Sequence, residues 1–287
     1  MKTSVALGSF DGLHKGHQNV LQNALSSADD GLSASVLLFD THPQKVLTGV
    51  MPPLLLAESE RDTLLRQMGF ALQTVSFESI RNLMPEAFVE KVLCEKLCAG
   101  AVSCGYNYRF GRNGAGDAAL LQRLCAPRGI RVSVCETAVF EGEPVSSTRI
   151  RRALENGEPD KAAAMLTRPF SYTAEVIHGN ARGRELGYPT ANQQLPFGLV
   201  VPKYGVYASQ TTVQGRTYNS ITNIGIRPTL PDDTCGSETH ILGCCADLYG
   251  QQITVALNRY IRSERKFASL DEVFTQVQKD IEFAYGK

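Results

Sequence analysis

Two histidines three residues apart, in His14-Lys15-Gly16-His17, carry the first chemical signal in this chain. They follow the short apolar run Ser4-Val5-Ala6-Leu7 and the turn Gly8-Ser9-Phe10-Asp11-Gly12. At a helix start, backbone N–H groups and the helix dipole favour an anion, and residues three apart share a face. Gly12 and Gly16 let the backbone approach that anion closely. The arrangement points to chemistry on a nucleotide phosphate, with Gly8, Phe10 and Gly12 of the turn placed against the nucleotide. The pattern Val20, Leu21, Ala24, Leu25 supplies an amphipathic helix, so strand, glycine turn and helix follow in the order of a βα nucleotide site.

Three further segments are expected to meet the histidines at the carboxyl edge of a parallel sheet, where open α/β folds bind ligands. Phe39-Asp40-Thr41-His42-Pro43 follows a predicted strand, and Asp40 either coordinates Mg²⁺, holds a substrate group, or starts a turn before Pro43. In Gly105-Tyr106-Asn107-Tyr108-Arg109-Phe110-Gly111, Asn107 can hydrogen-bond a nucleotide or flavin, and aromatics such as Phe110 can stack on a ring or pack in a core. Val145-Ser146-Ser147-Thr148-Arg149-Ile150-Arg151 reads as a helix start. Its hydroxyls on Ser146, Ser147 and Thr148, with Arg151, suit a polyphosphate, although a plain N-cap needs one hydroxyl only. No nucleophile is paired with a base in this half; transfer of a nucleotidyl group needs alignment and charge neutralisation instead.

The second half carries its own phosphate chemistry. Gly179 to Gly187 is a glycine-rich loop in which Gly179, Arg182, Gly183 and Gly187 can bring backbone N–H groups and a guanidinium to a phosphate chain. It is not a Walker A loop, because no G-x-x-x-x-G-K-[ST] occurs. Thr190 and Asn192 supply oxygen donors of the kind Mg²⁺ accepts beside substrate phosphates. Glu238, at the start of an apolar strand, is placed to act as general base on an alcohol.

The elements that must hold these residues fall into two styles. Up to about residue 165, strands at Ser35 to Phe39, Ala101 to Cys104 and Arg131 to Cys135 alternate with helices at Glu58 to Met68 and Pro85 to Leu97, which implies a parallel sheet covered by helices. After Thr167-Arg168-Pro169, segments at Thr173 to Ile177, Gly205 to Thr212, Thr217 to Asn223 and Gln252 to Leu257 alternate with period two between Gly and Pro turns. That pattern reads as an antiparallel sheet or small barrel. One helix closes the chain behind a capping box of Ser269 and Glu272. The expected domains are therefore 1–165 and 166–287.

Bulk properties narrow the function. With 287 residues there is material for about two domains. Lys plus Arg and Asp plus Glu both number 29, so no global field draws nucleic acid or an anionic membrane. Apolar runs such as Val36 to Phe39 fall far short of the ~20 residues a membrane span needs, and charged residues interrupt the N-terminal apolar stretch, so a cytoplasmic protein is expected. Eight cysteines without a C-x-x-C pattern argue for reduced, mostly buried thiols rather than disulfides or zinc.

The chain resembles the prokaryotic bifunctional riboflavin kinase/FMN adenylyltransferase family, also called FAD synthetase. The segments GSFDGLHKGH, FDTHP, GYNYRFG and VSSTRIR carry the likeness in the first half, and GRELGYPTAN, YGVY, NIGIRPT, ETHI, DLYG and IRSERKF in the second. The resemblance implies an N-terminal α/β Rossmann-like nucleotidyltransferase domain and a C-terminal riboflavin kinase-like small antiparallel β-barrel with a C-terminal helix. It implies that riboflavin is phosphorylated by ATP to FMN, and FMN then adenylylated to FAD with release of pyrophosphate, both with Mg²⁺. Its small-molecule partners would be ATP, riboflavin and FMN, with neither nucleic acid nor membrane, and it names no protein partner. By position, His14 and His17 would stabilise adenylyl transfer, Asp40 and Asn107 would place substrate and metal, and Ser146, Ser147, Thr148 and Arg151 would hold phosphates. In the kinase, Thr190 and Asn192 would hold the metal and Glu238 would be the base. The chain departs from the family pattern at Thr41, Pro144, Thr167 and Ala174, none a proposed catalytic group. Two rivals remain at this stage: a monofunctional adenylyltransferase with an inactive kinase half, and a non-enzymatic flavin-binding regulator.

Overall fold

A computed structural model describes residues 2–28, 31–178, 188–226, 235–244 and 246–286. By packing, the chain forms two compact units, Met1–Pro52 with Glu58–Ser147, and Pro53–Ala57 with Thr148–Lys287.

The first unit is built on five strands, β1 (Thr3–Leu7), β2 (Ser33–Phe39), β3 (Ala71–Val75), β4 (Ala99–Gly105) and β5 (Arg131–Cys135). All pair in parallel in the order β3-β2-β1-β4-β5. The chain fills one side of β1 first and then crosses to the other, so the strand order reverses between β1 and β4, and a crevice opens beyond their carboxyl ends. The helices are α1 (Lys15–Ala28), α2 (Pro43–Thr48), α3 (Glu58–Gln67), α4 (Phe77–Ile80), α5 (Pro85–Phe88) and α6 (Ala118–Cys125). The helix expected over Pro85 to Leu97 is present, but after α5 it continues as a π-helix, Val89–Lys96. Its apolar face, Phe88, Val89, Val92 and Leu93, packs with Val5, Leu7, Val102 and Leu121 in one core. A two-stranded hairpin, β6 (Val139–Phe140) with β7 (Glu143–Pro144), leads out of this unit.

In the second unit, α7 (Ser147–Asn156) and α8 (Pro159–Leu166) precede the sheet. Ala162, Met165 and Leu166 of α8 are buried, and that apolar stripe explains why the packing border lies ahead of the change of sequence style at Thr167. Six antiparallel strands follow: β8 (Phe170–Glu175), β9 (Thr190–Gln194), β10 (Gly205–Val213), β11 (Arg216–Ile226), β12 (Cys235–Ile241) and β13 (Gln252–Arg262). Their order is β8-β13-β10-β11-β12-β9, and a bridge between Ile177 and Asn192 links the edges. Buried Gln193 reaches from β9 to the carbonyls of Ala174 and Ile253, which closes the curl from inside. The interior is partly hydroxyl-lined: Ser209, Thr211, Ser220, Thr222 and Thr239 are fully buried and satisfy one another. A C-terminal helix, Leu270–Tyr285, packs on this sheet, with Tyr285 donating its hydroxyl to the carbonyls of Ser209 and Ser220. Its capping box differs by one residue from the expected form: Ser269 accepts from the Glu272 N–H, but the Glu272 carboxylate accepts from Ala268.

The described cysteines form no disulfide. Fewer are buried than the sequence suggests: Cys104, Cys125 and Cys135 lie in the core, whereas Cys98 is exposed and Cys94, Cys235 and Cys244 are intermediate. Among the described residues no helix is long and apolar enough to cross a membrane.

Candidate functional sites

Each unit carries one cavity that gathers predicted chemistry. In the first unit a cavity of about 350 Å³ opens at the carboxyl ends of β1 and β4, lined by Gly8, His14, His17, Asn107, Ser146 and Ser147 among others. The size falls in the range of small-molecule sites.

The turn after β1 is strained: Phe10, Gly12 and Leu13 all have positive φ, at 55°, 79° and 47°. Such conformations cost of order 1–3 kcal/mol each for residues with side chains and persist at functional sites. The buried Phe10 ring folds over Gly8, where a Cβ would lie 3.1 Å from it, and packs against His17 with centroids 5.3 Å apart. Phe10 and Gly12 are both buried in the turn, and neither is among the residues that line the cavity.

His14 precedes α1 in an extended conformation, and its Nδ1 accepts the backbone N–H of His17 at 3.3 Å. It thus caps the helix, and the neutral ring must carry its proton on Nε2. The two imidazoles stack, with centroids 3.7 Å apart and planes 15° from parallel. Burial lowers the His14 pKa to about 4, and it lowers that of His17 well below the ordinary value, with the neighbouring His14 adding to the effect. The Nδ1 of His17 is buried without a hydrogen-bond partner among the described residues. A buried unpaired N–H is costlier than an unpaired lone pair, which favours the Nε2–H tautomer there too. The cavity is therefore bordered by two neutral N–H donors, which can stabilise charge developing on phosphoryl oxygens without changing protonation.

A lowered histidine pKa also links this turn to stability. The unfolded chain binds the His14 proton near pH 6.5 and the folded one only near pH 4, so stability is intact above 6.5 and is lost as pH falls through that window. The expected loss from His14 alone is about 3 kcal/mol. Urea midpoints at pH 7, 5.5 and 4.5 check it: they should fall less steeply in His14→Asn, which keeps a capping acceptor but does not titrate.

The other predicted residues of this unit divide. Ser146 and Ser147 line the cavity, and Ser147 Oγ donates to the Asp11 carbonyl at 3.1 Å, tying the start of α7 to the turn. Thr148 and Arg151 group with the second unit, where Arg151 Nε donates to the Pro53 carbonyl. Asp40 is exposed at the end of β2 and accepts the Phe77 N–H at 3.2 Å, so one of its oxygens serves as the cap of α4. Phe110 is a correction: it is a core residue, packed between Phe88 and Tyr108 and against Gly116, where a Cβ would lie 2.5 Å from its ring. Asn107 lies in the turn after β4 that borders the cavity, whereas Phe110 is buried beyond it.

In the second unit a cavity of about 560 Å³ lies between the outer face of the sheet and the C-terminal helix. Register places Glu238 directly between Asn192 on β9 and Asn223 on β11, and His240 opposite Thr190. Residues opposite one another share a face, so one polar row crosses three strands; Thr190, Asn223, Glu238 and His240 of it line the cavity. The Asn192 amide nitrogen donates to the Thr190 carbonyl at 3.3 Å, which orients its amide. His240 Nδ1 meets the Pro189 carbonyl at 3.1 Å, its ring stands edge-on to Tyr188, and burial lowers its pKa. Beyond the polar row the walls turn apolar, with Val206, Ile221, Val273 and Val277. Gly179, Arg182, Gly183 and Gly187 lie outside the described residues.

Comparison with known proteins bears on both cavities. Residues 1–149 match the FAD synthetase family and residues 166–286 match the riboflavin kinase family. Over 279 residues, 96% of this chain and 89% of the relative, it is 33% identical to the bifunctional riboflavin kinase/FMN adenylyltransferase of Pseudomonas fluorescens. The chain belongs to the bifunctional riboflavin kinase/FMN adenylyltransferase family. The proteins of that name from Bacillus subtilis and Escherichia coli K12 are also each 33% identical, covering 97% and 96% of this chain and 90% of each relative. A crystal structure described as a macrolide-efflux protein from Streptococcus pneumoniae superposes with a TM-score of 0.87 at 30% identity, covering 99% of this chain and 94% of that one. This chain is a two-domain transferase, with a kinase region and a nucleotidyltransferase region each carrying its own cavity, and neither rival reading is favoured.

Sequence reasoning passed over several cavity residues. Tyr106 and Thr137 border the first, and Tyr188, Arg262 and Asp280 the second. Tyr106 and Tyr188 stood inside quoted motifs; Asp280, one polar position on an amphipathic helix, gave no local signal.

Proposed function

We propose that the second cavity phosphorylates riboflavin with ATP to give FMN, and that the first adenylylates FMN with a second ATP to give FAD and pyrophosphate. The activities divide as residues 1–165 and 166–287. The observation that carries the reading is the presence of two distinct phosphate-handling sets, the stacked histidines in one matched region and the Glu238 row in the other.

In adenylyl transfer the FMN phosphate attacks the α-phosphorus of ATP, and pyrophosphate leaves. His14 and His17 donate through Nε2–H to the oxygens on which charge accumulates, Ser146 and Ser147 hold phosphate oxygens, and Asn107 places the substrate. Asp40 serves adenylyl transfer with its second carboxylate oxygen. In the kinase, Glu238 accepts the proton of the ribityl 5′-hydroxyl as that oxygen attacks the γ-phosphorus, the bond from the γ-phosphorus to the β,γ-bridging oxygen breaks, and ADP leaves.

Mg²⁺ suits the donors present. The Thr190 hydroxyl and the Asn192 amide oxygen are hard oxygen ligands set beside a carboxylate, and Mg²⁺ is usually held by one or two such groups together with substrate phosphates. When bound, it would neutralise phosphate charge. No nucleic acid or membrane is required, and the reaction belongs in the cytoplasm. Incubation with riboflavin, ATP and MgCl₂, followed by chromatographic separation of flavins, should yield FMN and then FAD. Folded protein that forms neither overturns the proposal; FAD from FMN but never from riboflavin leaves only its second half, adenylylation at the first cavity.

A further inference from the structure

The far wall of the second cavity converges on one carboxylate. Arg262, at the end of β13, grips Asp280 on the C-terminal helix: Nε lies 3.0 and 3.1 Å from the two carboxylate oxygens, and Nη2 lies 2.7 Å from Oδ2. Gln276, one turn earlier on the helix, donates to Asp280 Oδ1 at 2.8 Å. Asp280 is 2% exposed, yet both it and Arg262 border the cavity. Arg262 also donates Nη1 to the Ser263 carbonyl and lies over the Phe267 ring, which Arg265 covers as well. Strand end, connecting segment and helix are thus fixed to one another at a single buried group.

A buried ion pair is weak evidence for stability alone, because the desolvation of both charges offsets much of their attraction, and apolar residues of the same volume often do as well. What the pair provides here is placement. It fixes the guanidinium at the cavity border, with three of its five N–H groups engaged by Asp280 and Ser263, and holds the helix whose Val273 and Val277 line the cavity together with Val206 and Ile221. A planar ring system with an acceptor-rich edge needs such a combination of apolar faces and one oriented donor.

Resting on the assignment of this cavity to the kinase, we infer that Asp280 is a positioning residue for the flavin ring: through Arg262 and the helix it sets riboflavin binding, and it takes no part in phosphoryl transfer. Asp280→Asn keeps the shape and one acceptor but removes the charge. The KM for riboflavin should rise about tenfold with kcat within about twofold, the pattern of lost uniform binding. FAD formation from supplied FMN should not change. A lowered melting temperature with unchanged KM, or a fall in kcat without a rise in KM, overturns the inference. Should Asp280→Asn not fold, Arg262→Lys, which keeps the charge and loses the fork, must give the same split. If the unmodified chain forms no FMN at all, the kinase assignment fails instead.

Discussion

Replacing His17 with alanine is expected to slow FAD formation from FMN about 10²–10³-fold, the usual cost of removing one preorganised donor to a developing oxyanion, while riboflavin phosphorylation continues at its original rate. His17 is the cleaner of the two histidines to remove. His14 also caps α1 through Nδ1, and deleting a cap costs about 1 kcal/mol in its own right. His17 caps nothing; its ring lies against His14 and Phe10 and its outer part is accessible. Because burial holds both rings neutral, the adenylyl transfer rate should show no histidine limb between pH 6 and 8. Steady-state rates with FMN and with riboflavin, each across that pH range, measure all of this. Loss of both activities in a folded variant defeats the assignment to separate sites. A rate that falls as pH rises through 6.5 shows instead that an imidazolium is the active form.

The histidine pair was legible because its meaning is local: strand, glycine turn and helix lie within one stretch of chain, and the helix start supplies most of the electrostatics. Its protonation was not. That depends on burial and on the capping bond, in a turn where Phe10, Gly12 and Leu13 take positive φ, which composition does not disclose. Asp40 shows the complementary case, in which only half of the carboxylate's role is local. A carboxylate at a strand end reads as a ligand, but a helix start 37 residues further on takes one of its oxygens, and only tertiary packing brings that N–H to it. Phe110 fails for the same reason, since an aromatic in a glycine-flanked loop turns inward when a core lies beneath it. In the second unit the strands were visible by period, but the polar row of Asn192, Glu238 and Asn223 depends on register between strands, which no single segment contains. The Arg262–Asp280 contact joins a strand to the C-terminal helix between residues 18 apart in sequence, across a connecting segment whose path the sequence leaves open.

Glu238→Ala is expected to lower FMN formation about 10²–10⁴-fold, the range for loss of a positioned base, with FAD formation from supplied FMN unaffected. The fold should tolerate it. Glu238 lies within β12, where backbone pairing to β9 and β11 sets the register, and its side chain is on the outer face, not among the buried hydroxyls of the interior. Glu238→Gln, nearly the same shape, should lose as much, because a neutral amide cannot accept the hydroxyl proton. If the carboxylate only bound riboflavin, both variants would raise KM and leave kcat alone; if it is the base, kcat falls and KM changes little. Asp280→Asn is expected to do the reverse in the same cavity. A single set of riboflavin saturation curves on the two variants thus separates the end of the cavity that reacts from the end that holds the ring. Were Glu238 and Asp280 both to move KM alone, the proton would have to leave by another route, and the carboxylate in the polar row would be a substrate contact.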